Sequence, residues 1–313
     1  LAAPTPPPWK IAGILTIGMF AIATAAILIR CASGSVALSH PGLNERPGFS
    51  FLIAASRMGL ATLILSGSRR MQSAEPIPWH NSRAIQRAAI AGVALALHFA
   101  SWVTSLNYTS ITASTVLVTT TPIWTALICG LILKEKISRA TNLGITIAFL
   151  GGLTIATDNS ASLTQPQAWL GNSLALAGAM LATCYLLVGR SAQRQGLSTS
   201  QYSLLAYGTA AMVLLPLPGL AGVGFTGYPP LTYGWLLIMA IVPQLLGHTS
   251  FNWAIRYIAP NLVTLAILAE PIGASLLGYL IFREIPTPQT LIGSGIILFG
   301  ITIASLNNAP KAA

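Results

Sequence analysis

Residues 107–151 read NYTSITASTVLVTTTPIWTALICGLILKEKISRATNLGITIAFLG, and residues 256–300 read RYIAPNLVTLAILAEPIGASLLGYLIFREIPTPQTLIGSGIILFG. Laid over one another at an offset of 149, without a gap, the two runs agree at twelve of 45 positions. Aliphatic matches are expected from composition, so the informative pairs are Tyr108/Tyr257, Pro122/Pro271, Glu135/Glu284, Gly144/Gly293 and Gly151/Gly300. The chain therefore carries an internal repeat, and each copy spans five apolar segments. Five is odd, so in a membrane the second copy runs in the opposite sense to the first. Such an inverted pair lets two halves exchange conformations about a site at mid-membrane.

Composition requires the membrane. Of 313 residues 54% are hydrophobic and 7% charged, with mean hydropathy +0.71, against the ~25% charged residues of soluble domains. Sixteen Lys and Arg with six Asp and Glu cannot solvate a globule of this size. The apolar blocks approach the ~20 residues a helix needs to cross a bilayer, and the ~10-residue alternation of an outer-membrane barrel is missing. We expect an all-α integral membrane protein of ten transmembrane helices: Ile11–Ile29, Phe49–Gly67, Ala88–Leu106, Ile111–Leu133, Thr141–Ile155, Trp169–Val188, Tyr202–Leu220, Leu231–Ala254, Asn261–Phe282 and Leu291–Leu306. The two repeats are expected at residues 11–157 and 168–306. Pro4 to Pro8 and Asn307 to Ala313 read as short tails, and the first apolar block reads as a span, not as a cleaved signal.

With loops on alternate sides, Lys10, Arg69, Arg70, Arg83, Arg87, Lys134, Lys136, Arg139, Arg190, Arg194, Arg256 and Lys311 fall on one side. Only Arg30, Arg46 and Arg283 fall on the other. The positive-inside rule then puts both termini in the cytoplasm, in the inner (plasma) membrane of the cell. Trp9, Trp79, Trp169 and Trp235 lie near span ends, where an aromatic belt belongs. The net charge of +10 is thus a topology signal scattered through loops; no dense basic face is present, and nucleic acid is not an expected partner. Cys31, Cys129 and Cys184 are unclustered and read as packing residues.

The run ALHFASWVTSLNYTSITASTVLVTTTPIWTALICGLILKEKIS, the run LGHTSFNWAIRYIAPNLVTLAILAEPIGASLLGYLIFREIPTPQ, and the Gly-rich helices that close each copy resemble the EamA domain of the drug/metabolite transporter superfamily. The resemblance covers both copies and implies the ten-helix fold and a transport role. Members handle amino acids, drugs, sugars and other metabolites. They include the YddG-like exporters of aromatic amino acids, to which the chain is similar in the function expected of it.

Several residues could carry transport. Glu270 is the one carboxylate within a span and pairs with Thr121 under the offset; it reads as a proton-coupling or cation-attracting site, or as half of a structural ion pair. Arg57 is the one base within a span, at similar depth. It either neutralises Glu270 or holds a substrate carboxylate. Pro122 and Pro271, mid-helix in mates of the repeat, predict kinks that line or hinge the cavity, or static bends. Gln244, His248 and Asn252 lie at i, i+4 and i+8, on one face of a helix. His98 and Trp102 on span three, Thr119, Thr120 and Thr121 on span four, and Tyr185 on span six add to an expected weakly polar, partly aromatic cavity; packed helix contacts are the alternative. Trp102 and Tyr185 suit an aromatic or apolar substrate. Gly144, Gly151, Gly152, Gly293, Gly295 and Gly300 permit close helix packing.

The expected function is secondary export of a small-molecule substrate, foremost amino acids, by a monomer or weak homodimer in the lipid bilayer, with no cofactor and no metal. Efflux of a lipophilic cation or uptake of another metabolite is the alternative, and an intramembrane enzyme a remote one, because no H-E-x-x-H pair or second intramembrane acid is present. Neither a selectivity-filter sequence nor a nucleotide-binding loop occurs.

Overall fold

The structure, a computed structural model, describes residues 6–37, 39–71, 75–132, 139–156, 166–258, 260–267 and 269–306. Ten spans cross the bundle, and no strand occurs among the described residues. Seven helices are long and apolar enough to cross a membrane, from Pro8–Ala37 to Pro230–Ala254; the shorter apolar helices Asn142–Ile155, Glu270–Phe282 and Pro288–Gly300 complete the set. The cap chemistry that starts these helices is local. Asn81 accepts from the Ala84 N–H at 3.2 Å, Ser110 from Ala113 at 3.1 Å, and Ser198 with Gln201 forms a reciprocal capping box, each satisfying a donor that the first turn cannot.

Span one is longer than the sequence suggests. After a turn at Thr24 it continues as Ala25–Ala37, so Arg30 belongs to a helix and not to a loop. Span four is two helices, Ile111–Val118 and Thr121–Ile132. Span nine, its mate, is helical over Pro260–Ile267 and Ala269–Phe282, with Leu268 outside the described residues. Pro122 is thus not a mid-helix kink: it sits in the first turn of a second half-helix, where a missing N–H costs nothing.

The threonine run makes the break in span four tolerable in lipid. The Thr119 hydroxyl donates to Val116 O at 3.0 Å and the Thr120 hydroxyl to Leu117 O at 2.7 Å, covering carbonyls that an unbroken helix would have bonded. Span eight departs from α geometry differently. Pro230–Met239 runs into a π-helix over Ala240–His248 that contains Pro243, followed by Thr249–Ala254.

Packing obeys a two-fold exchange of the copies. Span three packs on span six, as span eight packs on span one; span two packs on span seven and span five on span ten, each pair being its own mate. This is the inverted repeat in three dimensions. Glycines set the five–ten seam: a Cβ on Gly151 would lie 2.7 Å from Gly293 O, and one on Gly300 2.6 Å from Gly144 O. Large apolar side chains such as Phe20, Leu63, Phe149 and Phe299 face outward, toward lipid. Trp9, Trp79 and Trp169 are exposed near span ends, whereas Trp235 packs against the core. Cys31 and Cys184 are unpaired. Lys134, Lys136 and Lys311, and the side chains of Arg69, Arg70 and Cys129, lie outside what the structure describes.

Candidate functional site

A cavity of about 610 Å3 of empty space, mouth included, lies beside the break in span four. The structure brings eight of the expected residues to its wall: His98, Trp102, Thr119, Thr121, Tyr185, His248, Asn252 and Glu270. Thr121 opens the second half of span four, Glu270 is its mate under the repeat, and Val118 and Ile267 line the wall beside them. The floor is aromatic. His98 stacks on Trp102 with centroids 6.1 Å apart, and its Nδ1 bonds Gly178 O at 2.8 Å.

Three expected residues lie elsewhere. The Thr120 hydroxyl accepts from Trp124 Nε1 at 3.1 Å, while its neighbours Thr119 and Thr121 line the cavity. Gln244 is fully buried away from the cavity and accepts from Arg57 Nε at 2.9 Å. The cause is the π-helix: i to i+4 falls short of its wider turn, so Gln244 leaves the face shared by His248 and Asn252. Arg57 does not close an ion pair with Glu270. Its guanidinium lies 4.2 Å from the Phe99 ring centroid, and Nη1 and Nη2 make no hydrogen bond. Glu270 is within electrostatic reach of it. A charge at this depth costs about 3 kcal/mol by insertion scales.

Sequence reasoning missed Phe251, Ile22 and Ala25, which also line the cavity. Phe251 was within reach, because the offset of 149 carries Trp102 onto it. Ile22 and Ala25 carry no signal beyond being apolar.

Asn252 ties the wall together. It accepts from the Tyr185 hydroxyl at 2.7 Å and donates to the Tyr207 hydroxyl at 3.2 Å. Its own carbonyl accepts from Gln193 Nε2 at 2.9 Å. At the Arg30 end of the bundle a second polar cluster joins the copies. Arg30 Nη2 donates to Thr109 O at 3.1 Å and Nη1 lies 4.0 Å from Glu284 Oε2, while Glu284 Oε1 accepts from the Ile111 N–H at 2.7 Å. Arg283, with φ +56°, turns the chain that presents Glu284. Beneath this cluster lies a separate chamber of about 570 Å3 lined by Thr109, Asn172 and Thr290 among others.

A cavity beside a broken span, in a bundle built from an inverted five-helix repeat, defines a multi-pass membrane transport protein. The chain belongs to the EamA-like transporter family, whose pattern matches residues 12–157 and again residues 169–306. It is 25% identical over 203 residues to an uncharacterized transporter, YyaM, of Bacillus subtilis, across 64% of this chain and 66% of that one. It is 23% identical over 192 residues to a probable terminal-alkyne amino-acid exporter of Streptantibioticus cattleyicolor, across 61% of this chain and 62% of that one. The chain thus spans under two thirds of the length of each of these relatives. A solved crystal structure shares the fold, with a TM-score of 0.62 at 16% identity over 96% of this chain and 97% of that one.

Proposed function

We propose that the protein exports small zwitterionic metabolites, foremost amino acids with neutral or aromatic side chains, by alternating access around the cavity. In this reading it sits in the plasma membrane with both termini cytoplasmic, as a monomer or weak homodimer. One observation carries the reading: a single carboxylate, Glu270, lines a cavity otherwise walled by neutral and aromatic side chains. An acid so placed attracts an ammonium group, and Trp102, Tyr185 and Phe251 supply flat apolar surface for the rest of the molecule. The Streptantibioticus relative, named as an amino-acid exporter, agrees with it. Efflux of a lipophilic cation is the second reading, favoured by the same acid among aromatic faces.

Counterflow in proteoliposomes decides between them, with the common amino acids and a lipophilic cation offered in turn. Neutral and aromatic amino acids are expected to exchange, and Glu270→Gln to reduce their exchange by about tenfold or more, the equivalent of one lost charge contact. Exchange of the cation alone refutes the amino-acid reading.

A further inference from the structure

We infer that Arg57 reads the carboxylate of the substrate, which narrows the transported class to the α-amino acid and excludes the corresponding amine. This inference rests on the export of zwitterions proposed above. Arg57 is fully buried and commits one nitrogen, Nε, to Gln244. Its Nη1 and Nη2, the pair that grips a carboxylate in bidentate fashion, make no hydrogen bond, and neither does Gln244 Nε2 beside it. An arginine held only to pack spans together would have its fork satisfied, because buried polar groups in native structures are bonded.

What separates this fork from the cavity is a layer of rings. The guanidinium stacks on Phe99 at 4.2 Å. Phe99 meets His248 edge-on at 5.4 Å and His98 at 4.8 Å, and both histidines line the cavity. Phe99 and His248 are the rings that must swing aside for the fork to reach the cavity. The π-helix that ends at His248 also carries Gln244, so one element bears both the arginine's Nε partner and a ring of the layer in front of it. The copies are unequal here. The offset of 149 carries Arg57 onto Ala206 and Gln244 onto Leu95, so the bundle has one carboxylate reader and, at Glu270, one ammonium reader. A zwitterion engages both.

The test is competition in counterflow among phenylalanine, phenylalaninamide and phenethylamine, with purified protein in liposomes. The native chain is expected to prefer phenylalanine over both analogues by about tenfold or more. Arg57→Gln is expected to bring the three near parity at an unchanged detergent melting temperature, and Arg57→Lys, which keeps the charge and loses the fork, to retain part of the preference. Equal competition by the three compounds on the native chain overturns the inference and leaves amino-acid export standing. Retention of the full preference by Arg57→Gln overturns it too. Absence of exchange with any of the three removes the export reading and this inference together. Should Arg57→Gln not fold, the native analogue series and Arg57→Lys decide.

Discussion

Asn252 shows how much one side chain holds. Its amide bridges the Tyr185 and Tyr207 hydroxyls, and each buried partner left unmade costs about 1–3 kcal/mol. Asn252→Ala strands the Tyr185 hydroxyl and takes one partner from the Tyr207 hydroxyl, which keeps Thr249 at 3.1 Å, whereas Tyr185→Phe removes a donor and leaves one amide oxygen bare. The alanine variant is therefore expected to lower the melting temperature in detergent by several degrees, more than Tyr185→Phe does. An equal or reversed order would show that Asn252 is not the hub. At this scale the sequence was partly legible. Helical spacing placed His248 and Asn252 on one face and a repeat offset tied Thr121 to Glu270, so most of the wall was found. Arg57 and Glu270 stood out as charges in apolar segments, but their partners did not. A side chain's partner depends on the local turn, and the π-helix that hands Gln244 to Arg57 leaves no trace in a 3.6-residue pattern.

The elements differ in what fixes them. The half-helices of span four owe their break to the backbone and their tolerance of it to threonine hydroxyls, so a run of Thr119, Thr120 and Thr121 that reads as ordinary helix is a seam. Pro122 marked the right depth for the wrong reason, since a proline starts a helix as readily as it bends one. The five–ten pair is fixed by close approach. With Gly293 O already where a Gly151 Cβ would press, Gly151→Val must part the helices, and overpacking of this kind costs about 1–3 kcal/mol. Gly152→Val meets open space and is the matched control. The first is expected to lower the melting temperature by a few degrees and the second to leave it unchanged; the same shift in both would show that the seam is not glycine-determined. The two glycines are adjacent in sequence, and only the packing distinguishes them.

For the whole molecule, hydropathy and the repeat made ten spans and their inversion legible, because lipid demands apolar length and parity follows from counting. The ties across the bundle were not legible, since Arg30 reads as a loop residue until span one is seen to run through it. The Arg30–Glu284 cluster bolts the second copy onto the first. Under alternating access its removal favours opening at that end. In a background with native cysteines replaced, Glu284→Ala is expected to speed labelling of Ala113→Cys, on the wall of the adjoining chamber, by a membrane-impermeant maleimide severalfold; an unchanged rate would show that Glu284 does not hold that end shut. A carrier held more firmly at one end has a preferred resting face. Ligand arriving from the firmly held side meets a smaller competent population, and its half-saturation there rises in inverse proportion. One site then presents two apparent affinities, and a difference between the faces need not signify two different pockets.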